Sequence, residues 1–231
     1  MEHIFAYFIK KLRIDTCLFL LFCVSYSTNS YSLMNKIPYT EIRNKDIPES
    51  IYEETLEALS FYPELKDTPI EFRFKPQMNG NVMRAQPRFG SLLAPRSKRS
   101  YIIFISESFT IDHYVFEFEK IPSDVVIGWI GHELGHVMDY ETRSNWNILG
   151  FGFRYMTSKK YVIEAERTAD TFAVTHGMAP YIVKTKNFIL NHTGLTENYK
   201  NKIKRLYLSP EQIMEIVAEL EDELEDKEIS G

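Results

Sequence analysis

Residues 131–140 read GHELGHVMDY, within a stretch whose apolar residues recur at helical spacing from Ser123 to about Thr142. Positions four apart stack on one helix face, so His132 and His136 aim two imidazoles at one point. Glu133 follows directly and lies offset around the same helix. Two imidazoles are donors that a divalent transition metal accepts, and the adjacent carboxylate is placed to hold a water and take its proton. The pattern constrains the whole fold. A third ligand has to come from elsewhere in the chain, and the element that delivers it must pack closely on this helix.

One extended pattern requires a glycine three residues and a histidine six residues after the second histidine. Here those positions hold Asp139 and Thr142, so the third ligand is not that histidine. A second helical stretch, about 159–176 and ending at Gly177, contains EAERTAD at 164–170. Glu166 and Asp170 are four apart on one face. Glu166 is expected to be the third ligand, and Asp170 to accept the free ring N–H of a ligating histidine and fix its tautomer. Glu164, about 200° around the helix from Glu166, faces elsewhere. Gly131 and Gly135 on the first helix, and Ala165, Ala169 and Ala173 on the second, would let two backbones approach, although alanine also simply favours helix. Asp139, one turn past His136, is a candidate for supporting the site or capping the helix end, or for the third ligand in place of Glu166.

HELGH followed by ERTAD resembles the gluzincin zinc metallopeptidases, in particular the group with the CAAX prenyl proteases and the bacterial heat-shock membrane proteases. The resemblance covers about 125–175. It implies a zincin-like α+β fold: a small N-terminal antiparallel or mixed sheet, then the active-site helix, the ligand helix and C-terminal helices. It implies one Zn2+ held by His132, His136 and Glu166, with Glu133 as general base and Asp170 behind a ligand. The chain departs from that group in lacking several transmembrane helices. Only 29 residues separate His136 from Glu166, which leaves little room for an inserted subdomain. A small soluble exported form fits better.

The strands are expected before the metal helix. PIEFRFK (69–75) alternates Ile70, Phe72 and Phe74 with Glu71, Arg73 and Lys75, as a half-buried strand does. SYIIFISES (100–108) is a second strand, rich in β-branched and aromatic residues. Its portion 101–106 is either the edge beside the cleft, able to pair with an extended peptide, or an interior strand. YVFEFEK (114–120) is a candidate third strand. The segment between Pro76 and Pro95 reads as loops with room for a short strand. A helix is expected within 44–65, Ser123 is a plausible N-cap for the metal helix, and Asn145, Asn147, Gly150 and Gly152 mark a loop. Further helices are expected at about 179–190, 196–206 and 209–226.

The chain of 231 residues is long enough to bury a core without staples. Its only cysteines, Cys17 and Cys23, lie in an apolar stretch preceded by Lys10, Lys11 and Arg13. That stretch reads as a signal peptide over 1–27, with residues 28–231 as one domain, exported to a periplasm or secreted. An uncleaved membrane anchor is the alternative. The net charge of −5 is uneven. Residues 211–231 hold nine acids against Lys227, whereas 84–99 hold five cations and no acid. The basic stretch is either a solvated loop or a face for an acidic substrate or anionic surface.

Nothing points to a nucleic-acid binder. A peptide or protein substrate is expected, with no stable membrane insertion beyond the N-terminal segment. The activity expected is zinc-dependent peptide-bond hydrolysis. The alternatives are a non-catalytic zinc-containing module and an interaction protein that docks through its acidic C-terminal helix. Arg154, Tyr155, Tyr161 and His176 are the nearby candidates for stabilising a tetrahedral intermediate.

Overall fold

A computed structural model describes residues 36–230, apart from 79, 80, 94, 112 and 193. The signal-peptide reading of 1–27 and both cysteines fall outside the described residues.

The alternating segment forms β2 (Ile70–Gln77), with Ile70 and Phe72 turned inward and buried. A short β1 (Lys45–Asp46) pairs with it in parallel on one side, and β4 (Tyr101–Ile111) pairs in parallel on the other. β3 (Met83–Pro87) runs antiparallel along β4 and ends the order β1-β2-β4-β3. β5 (Tyr114–Glu117) folds back onto the end of β4. The sheet is therefore mixed. The strand at 101–106 is interior, and the short strand in the proline-broken segment is the edge. Interior placement suits β4, because Tyr101 through Ser106 are buried without a break and so on both faces.

The helices are α1 (Tyr52–Ser60), α2 (Ser123–Thr142), α3 (Asn145–Thr157), α4 (Lys159–Ala173), α5 (Ala179–Leu190), α6 (Glu197–Leu206) and α7 (Pro210–Ser230). The class is α+β. α2 is the hub, with α1, α4, α5 and β3 packed around it. Ile130, Leu134 and Val137 of α2 are fully buried in one core with Tyr101, Ile103 and Ile105 of β4. Each such side chain contributes roughly 1.5–3 kcal/mol by leaving water. Val217 and Ile213 of α7 join the same core, which ties down the inner face of the acidic helix.

Four local expectations are corrected. Residues 45–46 are a strand and not part of a helix, since a parallel partner in β2 takes up their backbone groups. Phe118–Lys120 leaves the strand and forms a 3-10 turn with Phe118 buried. Pro122 is the N-cap of α2; Ser123 is its first helical residue and donates to Glu54 Oε1 at 2.9 Å.

The fourth correction is α3, which occupies the segment read as a loop. Ser144 caps it by accepting from the Asn147 amide. Gly150 and Gly152 cost roughly 1 kcal/mol each in a helix. Burial of Ile148 and Phe151 offsets that cost, so packing and not propensity holds this helix.

Candidate metal centre

Two helices build the site. On α2, Gly135 faces α4 so closely that a Cβ there would sit 2.3 Å from the Ala169 carbonyl oxygen. Gly135 and Ala169 thus bring the two helices into close contact, whereas Gly131 faces the Met178 side chain and not α4. That approach lets the short reach of Glu166 meet the histidines. α4 ends in a π-type turn at Val174–Met178, where Gly177 takes a left-handed φ of 87°. Such a φ suits glycine, which has no Cβ to clash.

His132 Nε2 lies 3.1 Å from Glu166 Oε2, and His136 Nε2 lies 3.6 Å from the same oxygen. Ligand atoms from all three side chains fall within 4.8 Å of one another. A tetrahedral ion with bonds of about 2.0–2.1 Å separates its ligand atoms by roughly 3.3 Å, and the two edges from Glu166 Oε2 to the histidines lie on either side of that value. His132, His136 and Glu166 form a group that could bind a metal ion. All three are buried, each under 10% exposed, so the group is not a chance cluster of surface charges.

The surroundings fix the ligands. His132 Nδ1 donates to Asp170 Oδ1 at 2.8 Å, which leaves Nε2 free to face Glu166. Asp170, fully buried, also accepts from Lys186 Nζ and from the Leu208 amide, each at 3.0 Å. Burial works against the charged form of His132, yet the carboxylates of Asp170 and Glu166 hold its pKa up to about 10. The same contacts act in reverse on the acids. Burial raises the pKa of Glu166, but hydrogen bonds from both histidines hold it well below the usual range. Burial likewise opposes ionisation of Asp170, and Lys186 and His132 outweigh it. The buried carboxylates are thus held ionised by His132 and Lys186, and a metal ion bound to the group would supply positive charge in place of the ring proton of His132.

Glu133 is buried beside the pair, and its Oε2 accepts from the Ala85 amide at 2.6 Å. Burial raises its pKa, with the two histidines pulling it down. Ala85 lies on β3, and its carbonyl accepts from Tyr140 Oη at 3.4 Å. Both backbone groups of Ala85 therefore point off the free edge of the sheet toward α2. The cleft of about 520 Å3 is walled by β3 on one side and by α3, α4 and α5 on the other, with His132, Glu133, His136 and Glu166 in its lining.

Of the four residues considered for stabilising an intermediate, Tyr155 reaches the site, donating to Glu166 Oε1 at 2.7 Å. Burial and the nearby Glu166 push its pKa far up, so the hydroxyl keeps its proton. Arg154 lies over the Tyr161 ring, and His176 stacks on Tyr62 and contacts Phe172 and Glu64. Asp139 is buried one turn past His136, and its Oδ2 accepts from Arg143 Nε at 2.8 Å. Glu164 is exposed.

Sequence reasoning missed Lys186, Tyr140 and Tyr207. The Tyr207 ring meets His132 edge-on at 5.6 Å, with Lys186 Nζ 4.1 Å from its centre, and Tyr140 stacks on His136. Lys186 lies near the middle of α5 among Lys184, Thr185 and Asn187, and is a buried charge that its partner Asp170 compensates. No model of a known protein family matches the chain, and comparisons with curated proteins and with solved structures return no significant match.

Proposed function

We propose that the chain is a zincin-like, zinc-dependent peptidase. The observation that carries this is the convergence of His132, His136 and Glu166, with both ring nitrogens 3.1 and 3.6 Å from one Glu166 oxygen and the buried carboxylate of Glu133 beside them. Two imidazoles and a carboxylate suit zinc among the common ions. Zinc held by three protein ligands keeps a fourth position open, polarises a carbonyl and brings the pKa of a water to about 7.

The chain's own groups do the rest. Glu133 takes the proton of the attacking water and returns it to the leaving nitrogen. Its raised pKa, set by burial, makes the carboxylate a better acceptor for that proton. The free edge of β3 receives an extended peptide as a further strand, whose backbone takes the place of Glu133 and Tyr140 on the N–H and C=O of Ala85. Tyr155, held protonated on α3, would serve the developing oxyanion by turning its O–H from Glu166 Oε1. The signal-peptide reading of 1–27 adds export to this proposal.

The test uses the zinc-loaded full chain with a quenched peptide library. Glu133→Gln is expected to retain zinc and lose roughly 10²- to 10⁴-fold in turnover. Equal turnover in both proteins would remove Glu133 from the mechanism, and no turnover by the zinc-loaded wild type on any peptide would leave only the metal site.

A further inference from the structure

α3 is apolar on two opposite faces. Ile148 and Phe151 point into the cleft wall and are buried. Opposite them stand Trp146, Leu149 and Phe153, with Met156, which also lines the cleft, at the border of the same surface; the four are 84%, 44%, 66% and 81% exposed. Their spacing of three, four and three residues confines them to a stripe roughly 80° wide on the outer surface. Scattered exposed apolar residues are ordinary, but four large ones aligned on one helix mark an interaction surface.

The charges around the stripe say what covers it. Residues 143–160 contain four cations and no acid, in a chain whose net charge is −5. Arg143 is committed to Asp139, but Arg154, Lys159 and Lys160 at the helix's far end are exposed and form no ion pair among the described residues. The adjoining segment after β3 repeats the combination. Phe89 and Leu93 are 72% and 83% exposed, and Lys98 is an exposed cation in the same stretch. Arg99 closes that segment onto the start of α3, bonding the Tyr140 and Arg143 carbonyls and Asn145 Oδ1.

We propose that α3 is an interfacial helix that docks this protein on an anionic lipid surface. An indole, an aromatic ring, a branched aliphatic chain and a thioether enter the acyl boundary, while lysines and arginines beside them meet the headgroups. α3 has 13 residues, about 20 Å, which is too short to span a hydrocarbon core of about 30 Å. It therefore lies in the plane of the interface. The same helix lines the cleft through Ile148, Phe151 and Tyr155, so docking sets the cleft wall against the lipid headgroups. This goes beyond the proposed hydrolysis and does not depend on it.

The two tryptophans, Trp129 and Trp146, supply the assay. In the full chain carrying Trp129→Phe, Trp146 is the sole indole. Its emission is recorded without lipid, with phosphatidylcholine vesicles, and with vesicles containing phosphatidylglycerol. Vesicle binding as such is not the readout, because the apolar stretch near Cys17 and Cys23 can bind lipid on its own. The proposal predicts water-like emission without lipid. With anionic vesicles it predicts a blue shift and quenching by brominated acyl chains, and a much weaker response with phosphatidylcholine. Lys159→Gln and Lys160→Gln should each lower the apparent affinity read from this shift about five-fold.

Trp146 emission that stays water-like on anionic vesicles overturns the proposal. So does a shift of equal strength on phosphatidylcholine. A shift that appears without lipid as protein concentration rises assigns the stripe to a second copy of the chain. One present without lipid at high dilution assigns it to another segment of this chain. Either result excludes the lipid reading.

Discussion

Replacing Gly135 by alanine tests the physical basis of the site without touching a ligand. A Cβ at this position would meet the Ala169 carbonyl oxygen at 2.3 Å and the Ala169 carbonyl carbon and Cα at 3.0 Å. Ordinary contact begins near 3.4 Å, so the nearest atom is about 1.1 Å too close. That atom belongs to the α4 backbone and cannot swing aside, so α4 must retreat from α2 by roughly that amount. Overpacking of this kind costs about 1–3 kcal/mol. For a chain of this size it lowers Tm by about 2–4 °C per kcal/mol.

The second consequence is specific to the metal. A shift of about 1 Å moves Glu166 away from both histidines, whereas a metal site tolerates roughly 0.2 Å in its bond lengths. Zinc affinity should fall at least 10- to 100-fold, the range seen when ligand support is disturbed. Gly131→Ala is the control. There the Cβ meets Met178 Cε and Sδ at 2.4 and 2.5 Å, the far end of a flexible side chain. It should reduce stability and leave zinc affinity near wild type. Calorimetry and competition with a zinc-binding dye measure the two quantities. Wild-type stability and affinity in Gly135→Ala would refute the claim that a close helix–helix approach delivers Glu166.

Two further outcomes follow from the buried charges. Asp170→Asn leaves Lys186 buried without its counter-charge and His132 without its acceptor carboxylate. Stability should drop by about 3 kcal/mol and zinc affinity about 10- to 100-fold, and a change in neither would contradict the role given to Asp170. Glu57 accepts from Lys36 Nζ, Tyr39 Oη and Tyr181 Oη at 2.6, 2.7 and 2.9 Å. Burial opposes its ionisation, but these donors hold its pKa below the ordinary 4.5. A carboxylate with a lowered folded pKa contributes in full above its unfolded value, and the contribution is lost as pH falls through the folded value. The stability advantage of wild type over Glu57→Gln in urea should therefore shrink on acidification from about pH 6 to about pH 3. A constant difference would exclude this linkage.

The metal helix and the ligand helix were legible because their evidence is periodic and local. His132 and His136 share a face by spacing alone, and the pairing of Glu166 with Asp170 repeats the same arithmetic one helix later. The glycine and alanine stripes then said that the two faces could meet. β2 showed itself by alternation. α3 was hidden because Asn145, Asn147, Gly150 and Gly152 carry loop propensities, and the burial that overrides them lies in distant elements. The sequence leaves the edge strand undecided because β3 is short and proline-bounded, whereas the interior β4 looks like the better strand. Lys186 joins the site through Asp170 and Tyr207 through His132 from helices and turns that carry no motif, and the Ala85 contact is made by a backbone amide that every residue but proline possesses.

The measurement that bears most directly on the site is crystallography of the zinc-loaded chain with anomalous data across the zinc absorption edge. One peak per chain is predicted, about 2.0–2.2 Å from His132 Nε2, His136 Nε2 and a carboxylate oxygen of Glu166. Zinc bound instead through Asp139, or no stoichiometric zinc between α2 and α4, would contradict the ligand set.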